Sequence, residues 1–189
     1  MHIGILGGSF NPAHNGHRDI SIATLKAMSL DKIWWVITPT NPQKNHKNIL
    51  PVQDRIKIAK KVKKHPKIKI TCLESTHNIN YSYLLINDLS RKHPQDKFYW
   101  IIGADNLLTF HSWYKWNYIA QNINIIVIPR NNMLLKSLHN QFAIKYKRFL
   151  LTNPSLIKHH PAPFWTIIKT KQNHISATKI RKNLHSLSN

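Results

Sequence analysis

The chain has 189 residues, with 28 lysines and arginines against 7 acidic residues, and therefore a formal charge of +21. Its single cysteine excludes an intrachain disulfide and a cysteine-based zinc site. A hydrophobic content of 42% argues against disorder, and no apolar run approaches the roughly 20 residues of a membrane helix. The N-terminus lacks a basic start and a cleavage site, so we expect a cytoplasmic protein with one domain over residues 1–189.

Apolar runs of strand length alternate with helical patterns along the chain. In chain order the predicted elements are strand Ile3–Leu6, helix Asn15–Met28, strand Ile33–Thr38, helix Pro51–Lys64, strand Ile68–Cys72, helix Ser82–Arg91, strand Phe98–Ile102, helix Asp105–Phe110, helix Tyr114–Gln121, strand Ile123–Ile128, strand Phe164–Ile168 and helix Ser176–Leu187. The stretch Asn131–Pro163 shows no clean period, and we expect a helical insertion with a loop there.

This alternation predicts an α/β protein with a doubly wound, mostly parallel sheet that carries helices on both faces. In such a sheet ligands bind beyond the carboxyl ends of the strands, near the point where the strand order reverses. The segments expected at that edge are Gly7–His17, Thr38–Lys47, Gly103–Asp105 and Pro129–Arg130. The unusual residue combinations of the chain occur in these segments.

The segment Gly7–His17 reads GGSFNPAHNGH and lies between the first predicted strand and the first predicted helix. Two glycines let the backbone approach a ligand closely, and the helix N-terminus that follows attracts anions. His14 and His17 are three residues apart at the helix start, so both rings can point to the same side. An isolated pair would more often be two surface histidines among the 13 of the chain, but this context favours a phosphate site.

Three blocks of the chain resemble known signatures. GGSFNPAHNGH resembles the first motif of the HxGH nucleotidyltransferases, and ISATKIR at Ile175–Arg181 is similar to their ISxTxIR motif. IIGADNLL at Ile101–Leu108, followed by Trp113-Tyr114, is similar to the central block of the bacterial nicotinate-nucleotide adenylyltransferase family. The pairs and runs that support the same family are Trp34-Trp35 and Asn41-Pro42-Gln43-Lys44.

The resemblance implies a Rossmann-like fold and the transfer of AMP from ATP to nicotinate mononucleotide in NAD biosynthesis. The products would be deamido-NAD and pyrophosphate, and Mg²⁺ would assist. In-line attack on the α-phosphate brings several negative charges together without a covalent intermediate. Such a site needs positioning and charge stabilisation, which backbone N–H groups, imidazoles and basic side chains supply.

The resemblance also implies the site residues. Those expected to bind ATP are Gly8, Ser9, Phe10, His14, His17, Gly103, Asp105, Arg130, Ser176, Thr178 and Arg181. Those expected to bind nicotinate mononucleotide are Ser9, Phe10, Asn11, Lys44, Tyr83, Trp113 and Tyr114. The implied catalytic residues are His14, His17, Lys44 and Arg181, with His17 nearest the α-phosphate. No residue is implied as a metal ligand.

Several of these residues also have ordinary structural interpretations. Asp105 could cap the following helix, and Trp113 could belong to the core instead of stacking on the pyridine ring. Lys44 could be solvated, with His46 and Lys47 competing for its role, and Arg181 could be a simple charge on the last helix.

The acceptor is less strongly indicated than ATP, because Asn80–Ile86 departs from the family's SYTxDTL stretch. The same chemistry on nicotinamide mononucleotide or pantetheine phosphate is therefore an alternative. A basic nucleic-acid-binding protein is a further alternative, suggested by the charge of +21. The nucleic-acid alternative leaves two motifs typical of phosphate binding unexplained, so we expect no specific nucleic acid as partner. We also expect no membrane partner, because no apolar run approaches the length of a membrane helix.

Overall fold

One seven-stranded sheet forms the centre of the protein. The computed structural model describes residues 1–38, 49–72, 81–129 and 133–170, together with Ala177. The strands are β1 (His2–Gly8), β2 (Lys32–Ile37), β3 (Ile68–Thr71), β4 (Lys97–Gly103), β5 (Asn124–Ile128), β6 (Leu150–Leu151) and β7 (Trp165–Ile167). Their order is β3-β2-β1-β4-β5-β7-β6, and every neighbouring pair is parallel.

Helices connect most of these strands. They are α1 (Asn15–Met28), α2 (Val52–Lys63), α3 (Ser82–Lys92), α4 (Ala104–Leu108), α5 (Trp116–Asn122), α6 (Leu134–Ser137) and α7 (Gln141–Lys145). Short 3₁₀ turns occur at Phe110–Ser112, Lys147–Phe149 and Pro154–His159. No helix in the described ranges is long and apolar enough to cross a membrane.

The sheet is buried on both faces, because alternate residues of each strand belong to different hydrophobic clusters. Trp34 and Val36 of β2 pack with residues of α3 and α5, such as Leu85 and Ile119. Trp35, between them, packs on the opposite face with residues of α1 and α2. Continuous apolar strands are the sequence counterpart of this double burial. The predicted doubly wound sheet with helices on both faces is thereby confirmed.

The strand order reverses between β1 and β4. From β1 the chain proceeds outward to β2 and β3, and then returns to the other side of β1 to add β4 and β5. Leu6 of β1 lies beside Ile101 of β4, so the carboxyl ends of these two strands meet at one edge. Ligands bind at such a reversal in open α/β sheets.

Most predicted elements are confirmed, with differences around the shorter ones. The stretch Asn131–Pro163 contains the strand β6, which was not predicted because two apolar residues show no period. The helix predicted over Tyr114–Gln121 begins only at Trp116, because Lys115 has a left-handed backbone (φ 54°). The helix predicted over Ser176–Leu187 lies outside the described residues except for Ala177, which is helical.

Candidate active site

A cleft of about 350 Å³ opens where the carboxyl ends of β1 and β4 meet. Its walls come from the loop after β1, the start of α1, the end of β4 and the turn that follows α4. The predicted site residues that line it are Gly8, Ser9, Phe10, Asn11, His14, His17, Gly103, Asp105 and Trp113. Residues up to 105 positions apart in the sequence therefore meet in one cleft, as the topology predicted.

A larger cleft of about 490 Å³ lies elsewhere, around the amino ends of β4 and β5. It is lined by residues such as Lys97, Asn124 and Lys158, and by none of the predicted site residues that lie in the described ranges. Because ligands of parallel sheets bind at the carboxyl ends of the strands, the smaller cleft is the candidate active site.

The loop after β1 depends on an unusual backbone at Phe10. Phe10 has φ 44°, in the left-handed region that non-glycine residues rarely adopt, whereas no described glycine has a positive φ. Its side chain is 3% exposed and packs against two rings that also contact each other, with its centroid 4.7 Å from that of His17 and 5.2 Å from that of Trp35. The Phe10 side chain therefore supports His17 from the core side. Backbone strain of this kind is concentrated at functional sites.

His14 and His17 are held against each other at the start of α1. His14 is the N-cap residue with an extended backbone, and the two ring centroids are 3.9 Å apart. The backbone N–H of His14 donates to Nδ1 of His17 (3.2 Å), and the backbone N–H of His17 donates to the carbonyl of His14 (2.9 Å). A backbone N–H can only donate, so the neutral ring of His17 carries its proton on Nε2. The helix start thereby makes Nε2 of His17 a hydrogen-bond donor.

A buried hydrogen-bonded chain joins this helix to the sheet. The indole Nε1 of Trp35 donates to Oγ of Ser21 (2.8 Å), and that hydroxyl donates to the carbonyl of His17 (2.8 Å). Ser21 and Trp35 are both fully buried. Buried polar groups that are satisfied in this way fix one relative position of two elements.

Arg55 of α2 is a residue near the site that the sequence analysis missed. It is 1% exposed, and its guanidinium donates to the carbonyls of Leu50, Ser9 and Thr38. Burial lowers the pKa of its guanidinium, although an arginine stays protonated at neutral pH. The available signal was a basic residue in the apolar stripe of α2, three residues after Val52 and four before Ala59.

The end of β4 supplies the opposite wall. Gly103 is the N-cap residue of α4, and Asp105 is half-buried in the first turn. Asp105 is therefore not the cap that the ordinary interpretation assigned to it. Trp113 is half-buried, and its ring meets the fully buried ring of Phe110 edge-on at 5.3 Å. Trp113 thus packs on the core with one part and lines the cleft with another.

Tyr83 and Tyr114 are close to each other but are not among the described residues that line the cleft. Their ring centroids are 5.5 Å apart, and Tyr114 is 56% exposed. Nζ of Lys115 lies 4.5 Å from the centroid of Tyr83 and 5.6 Å from that of Tyr114. A cation over two aromatic rings stabilises this cluster.

The remaining predicted site residues lie outside the described residues. They are Lys44, Arg130, Ser176, Thr178 and Arg181. Within the described part of the chain, no group of three or more His, Cys, Asp or Glu side chains is arranged to hold a metal ion.

The chain resembles known proteins over nearly its whole length. A model of the cytidylyltransferase-like family matches residues 5–183. A "Probable nicotinate-nucleotide adenylyltransferase" of Brucella abortus (strain 2308) is 35% identical over 185 residues, covering 96% of this chain and 95% of the relative. A protein with the same name from Bradyrhizobium sp. (strain ORS 278) is 38% identical over 183 residues, again covering 96% and 95%.

Solved structures share the fold. Plasmodium falciparum nicotinic acid mononucleotide adenylyltransferase complexed with NaAD has a TM-score of 0.71 at 21% identity, covering 96% of this chain and 82% of that one. The same enzyme complexed with APC has a TM-score of 0.61 at 22% identity and the same coverage.

Proposed function

The chain belongs to the cytidylyltransferase-like family, and from this membership we propose that it transfers AMP from ATP to nicotinate mononucleotide. The products are deamido-NAD and pyrophosphate, and the reaction is a step of NAD biosynthesis in the cytoplasm. The observation that carries the proposal is the His14–His17 pair at the start of α1, in a cleft shared with Gly103, Asp105 and Trp113. The names of the full-length relatives support the acceptor.

The reaction requires little covalent chemistry from the protein. A phosphate oxygen of the mononucleotide forms a bond to the α-phosphorus of ATP, and the bond from that phosphorus to the bridging oxygen breaks. Pyrophosphate leaves with the electron pair. The attacking phosphate is mostly ionised at neutral pH, so no general base is required. Catalysis then depends on placing donors where negative charge increases.

His17 is the best-placed donor among the described residues. Its Nδ1 accepts from the backbone of His14, so in the neutral ring Nε2 carries the proton that we assign to a phosphate oxygen. His14 adds a second imidazole at the same helix N-terminus, where the helix dipole also favours anions. We assign both to the phosphates of ATP, with His17 nearest the α-phosphate.

The other roles follow the family pattern. The backbone around Gly8, Ser9 and Phe10 contacts phosphates, and Asn11 lies on the acceptor side. Gly103 and Asp105 hold the adenosine, and Trp113 stacks on the pyridine ring, with backbone N–H groups near Tyr83 and Tyr114 receiving the nicotinate carboxylate. The residues assigned to the remaining phosphates and the adenine are Lys44, Arg130, Ser176, Thr178 and Arg181.

Mg²⁺ fits this site as an ion that enters with ATP. It binds one or two carboxylates together with substrate phosphates and water, instead of an all-protein cage. Asp105 is the one carboxylate among the described residues that line the cleft, and since it is assigned to the adenosine, the ion would be held mainly by phosphates and water. When bound, the ion would neutralise charge on the triphosphate.

Steady-state kinetics with purified protein test the proposal. Pyrophosphate release is measured with ATP, Mg²⁺ and each of three acceptors: nicotinate mononucleotide, nicotinamide mononucleotide and pantetheine phosphate. We expect the highest kcat/KM with nicotinate mononucleotide. A higher kcat/KM with another acceptor would change the assignment, and no release with any of them would refute the chemistry.

The nucleic-acid alternative has its own measurement. With a formal charge of +21, weak binding to DNA at low salt is expected of this protein in any case. Tight binding at physiological salt by a protein that releases no pyrophosphate would favour that alternative.

A further inference from the structure

Arg55 is buried more deeply than any other lysine, arginine or acidic residue in the described ranges, at 1% exposure. A buried charge destabilises a protein unless it is paired or fully hydrogen-bonded. An aliphatic side chain would fill the same position in the apolar stripe of α2 without that cost. The contacts of its guanidinium therefore indicate what it does.

The guanidinium joins three separate segments. Nε donates to the carbonyl of Leu50 (2.8 Å), and Nη1 donates to the carbonyls of Ser9 (2.7 Å) and Thr38 (2.7 Å). These carbonyls belong to the segment that precedes α2, the loop after β1 and the residue after β2. The planar fork of an arginine has fixed donor directions, so it fixes the distances among the three acceptors.

Leu50 and Thr38, whose carbonyls accept from Arg55, also donate hydrogen bonds to residues at the two ends of this loop. The backbone N–H of Leu50 donates to Oδ1 of Asn11 (3.1 Å), and the backbone N–H of Thr38 donates to the carbonyl of Gly8 (3.0 Å). Gly8, Ser9 and Asn11 are thus all tied to Arg55, directly or through one residue.

Phe10 lies between these tied residues. It has the left-handed backbone (φ 44°), and its ring centroid lies 4.7 Å from that of His17. A single residue between fixed neighbours cannot relax to an ordinary conformation without releasing one of them. The position of the Phe10 ring, and with it the support beneath His17, therefore depends on Arg55.

We propose that Arg55 is a positioning residue for the transfer reaction: it fixes the Ser9–Asn11 loop so that Phe10 holds His17 in place. Arg55 is distinct from the residues proposed to bind phosphates, because its Nε and Nη1 donate to backbone carbonyls inside the protein. The kinetic part of this inference rests on the proposed function.

Two variants and a matched control test the role. Arg55→Met removes the three hydrogen bonds described above, and Arg55→Lys keeps a charge without the fork. Asn124→Ala is the control: Asn124 is 6% exposed, and its Nδ2 donates to the carbonyls of Ile157 (3.3 Å) and His160 (2.7 Å) at the opposite edge of the sheet. It removes a comparable buried clamp that is remote from the cleft.

We expect both Arg55 variants to lose about 100-fold in kcat, the effect of displacing a catalytic group by about 1 Å. KM for ATP should change by less than about threefold, because a group that acts mainly in the transition state contributes little to substrate binding. Asn124→Ala should lower Tm without changing kcat. The proposal would be overturned if Asn124→Ala lost as much kcat as an Arg55 variant with the same Tm. Wild-type kcat in Arg55→Lys would overturn it too.

The ¹⁵N spectrum of the His17 ring supplies a readout that does not depend on activity. The wild-type protein should show the Nε2–H tautomer alone, and Arg55→Lys should show a mixture. The ring signals of His93, which lines the larger cleft, and of His139, whose Nδ1 lies 2.9 Å from the carbonyl of Leu135, should stay as in the wild type. Arg55→Lys suffices if Arg55→Met does not fold. An unchanged His17 signal in a folded Arg55 variant would overturn the role. A wild-type protein that makes no deamido-NAD would refute the proposed function and leave this spectroscopic test intact.

Discussion

The two nitrogens of His17 have different roles, and one substitution separates them. Nδ1 accepts the backbone N–H of His14 at 3.2 Å, which completes the start of α1. Nε2 carries the proton and is the proposed donor to the α-phosphate. In His17→Asn the amide oxygen is two bonds from Cβ, as Nδ1 is in histidine. It can keep the bond to His14, while no donor occupies the position of Nε2. His17→Ala loses both.

The two losses differ in size. Removing a side-chain acceptor at a helix start costs about 0.5–2 kcal/mol. The 3.2 Å distance is at the long end for a hydrogen bond, so we expect about 1 kcal/mol for His17→Ala. In a chain of 189 residues that corresponds to a Tm lower by about 2–4 °C. Removing a donor that stabilises transition-state charge costs about 100- to 1,000-fold in kcat, or about 2.7–4 kcal/mol.

Thermal unfolding and pyrophosphate release on the same preparations check both values. His17→Asn should unfold at a Tm close to wild type and lose as much kcat as His17→Ala. His65→Asn is the matched control, because Nδ1 of His65 also accepts a backbone N–H, from Lys67 at 3.2 Å, in the turn between α2 and β3. It should change kcat by less than a factor of about two.

Two results would refute this division of roles. A His17→Asn variant with wild-type kcat would show that Nε2 is not a catalytic donor. A His17→Ala variant with wild-type Tm would show that the bond to Nδ1 does not stabilise the helix start, and the tautomer argument would lose its basis.

Substitutions at four further positions test other parts of the structure. Ser21→Ala leaves the buried Nε1 of Trp35 without its acceptor, which should cost about 1–3 kcal/mol in urea unfolding; an unchanged stability would mean that this bond contributes nothing. Trp113→Ala should raise KM for nicotinate mononucleotide about fivefold, for a stacking contribution of about 1 kcal/mol, with KM for ATP unchanged and Trp113→Phe close to wild type. Burial, followed by a neighbouring lysine, lowers the pKa of His2 below 6.5, so the unfolded chain binds that proton more readily. The free energy of unfolding should therefore fall as pH decreases below 6.5, and it should fall less in His2→Gln. Equal pH dependence of the wild type and His2→Gln would contradict this expectation. Burial raises the pKa of Tyr99 from 10.0 to about 12, so its share of the stability should be lost as pH rises across that interval, and Tyr99→Phe should remove this loss.

Structural features that depend on residues close together in the chain could be predicted from the sequence. Continuous apolar runs report burial on both faces of a parallel sheet, and the run IWWVIT at Ile33–Thr38 corresponds to β2 at Lys32–Ile37. The His14–His17 spacing reports two rings on one side of a helix start, because that geometry is local. The shorter elements were harder to predict from the sequence. Leu150–Leu151 becomes a strand only because β7 pairs with it.

The tertiary structure decided what depends on distant groups. The sequence alone determined the class of fold, the edge of the sheet that carries the candidate site and the proximity of the two histidine rings at the start of α1. It could not show that Arg55 reaches the carbonyl of Ser9, 46 residues away, since the place of Arg55 in the apolar stripe of α2 indicates burial but not the hydrogen-bond partners. Nor could it show the left-handed backbone of Phe10. Each is set by contacts across the fold, and hydrogen-bond partners of a side chain are known only once the chain has brought them within about 3 Å.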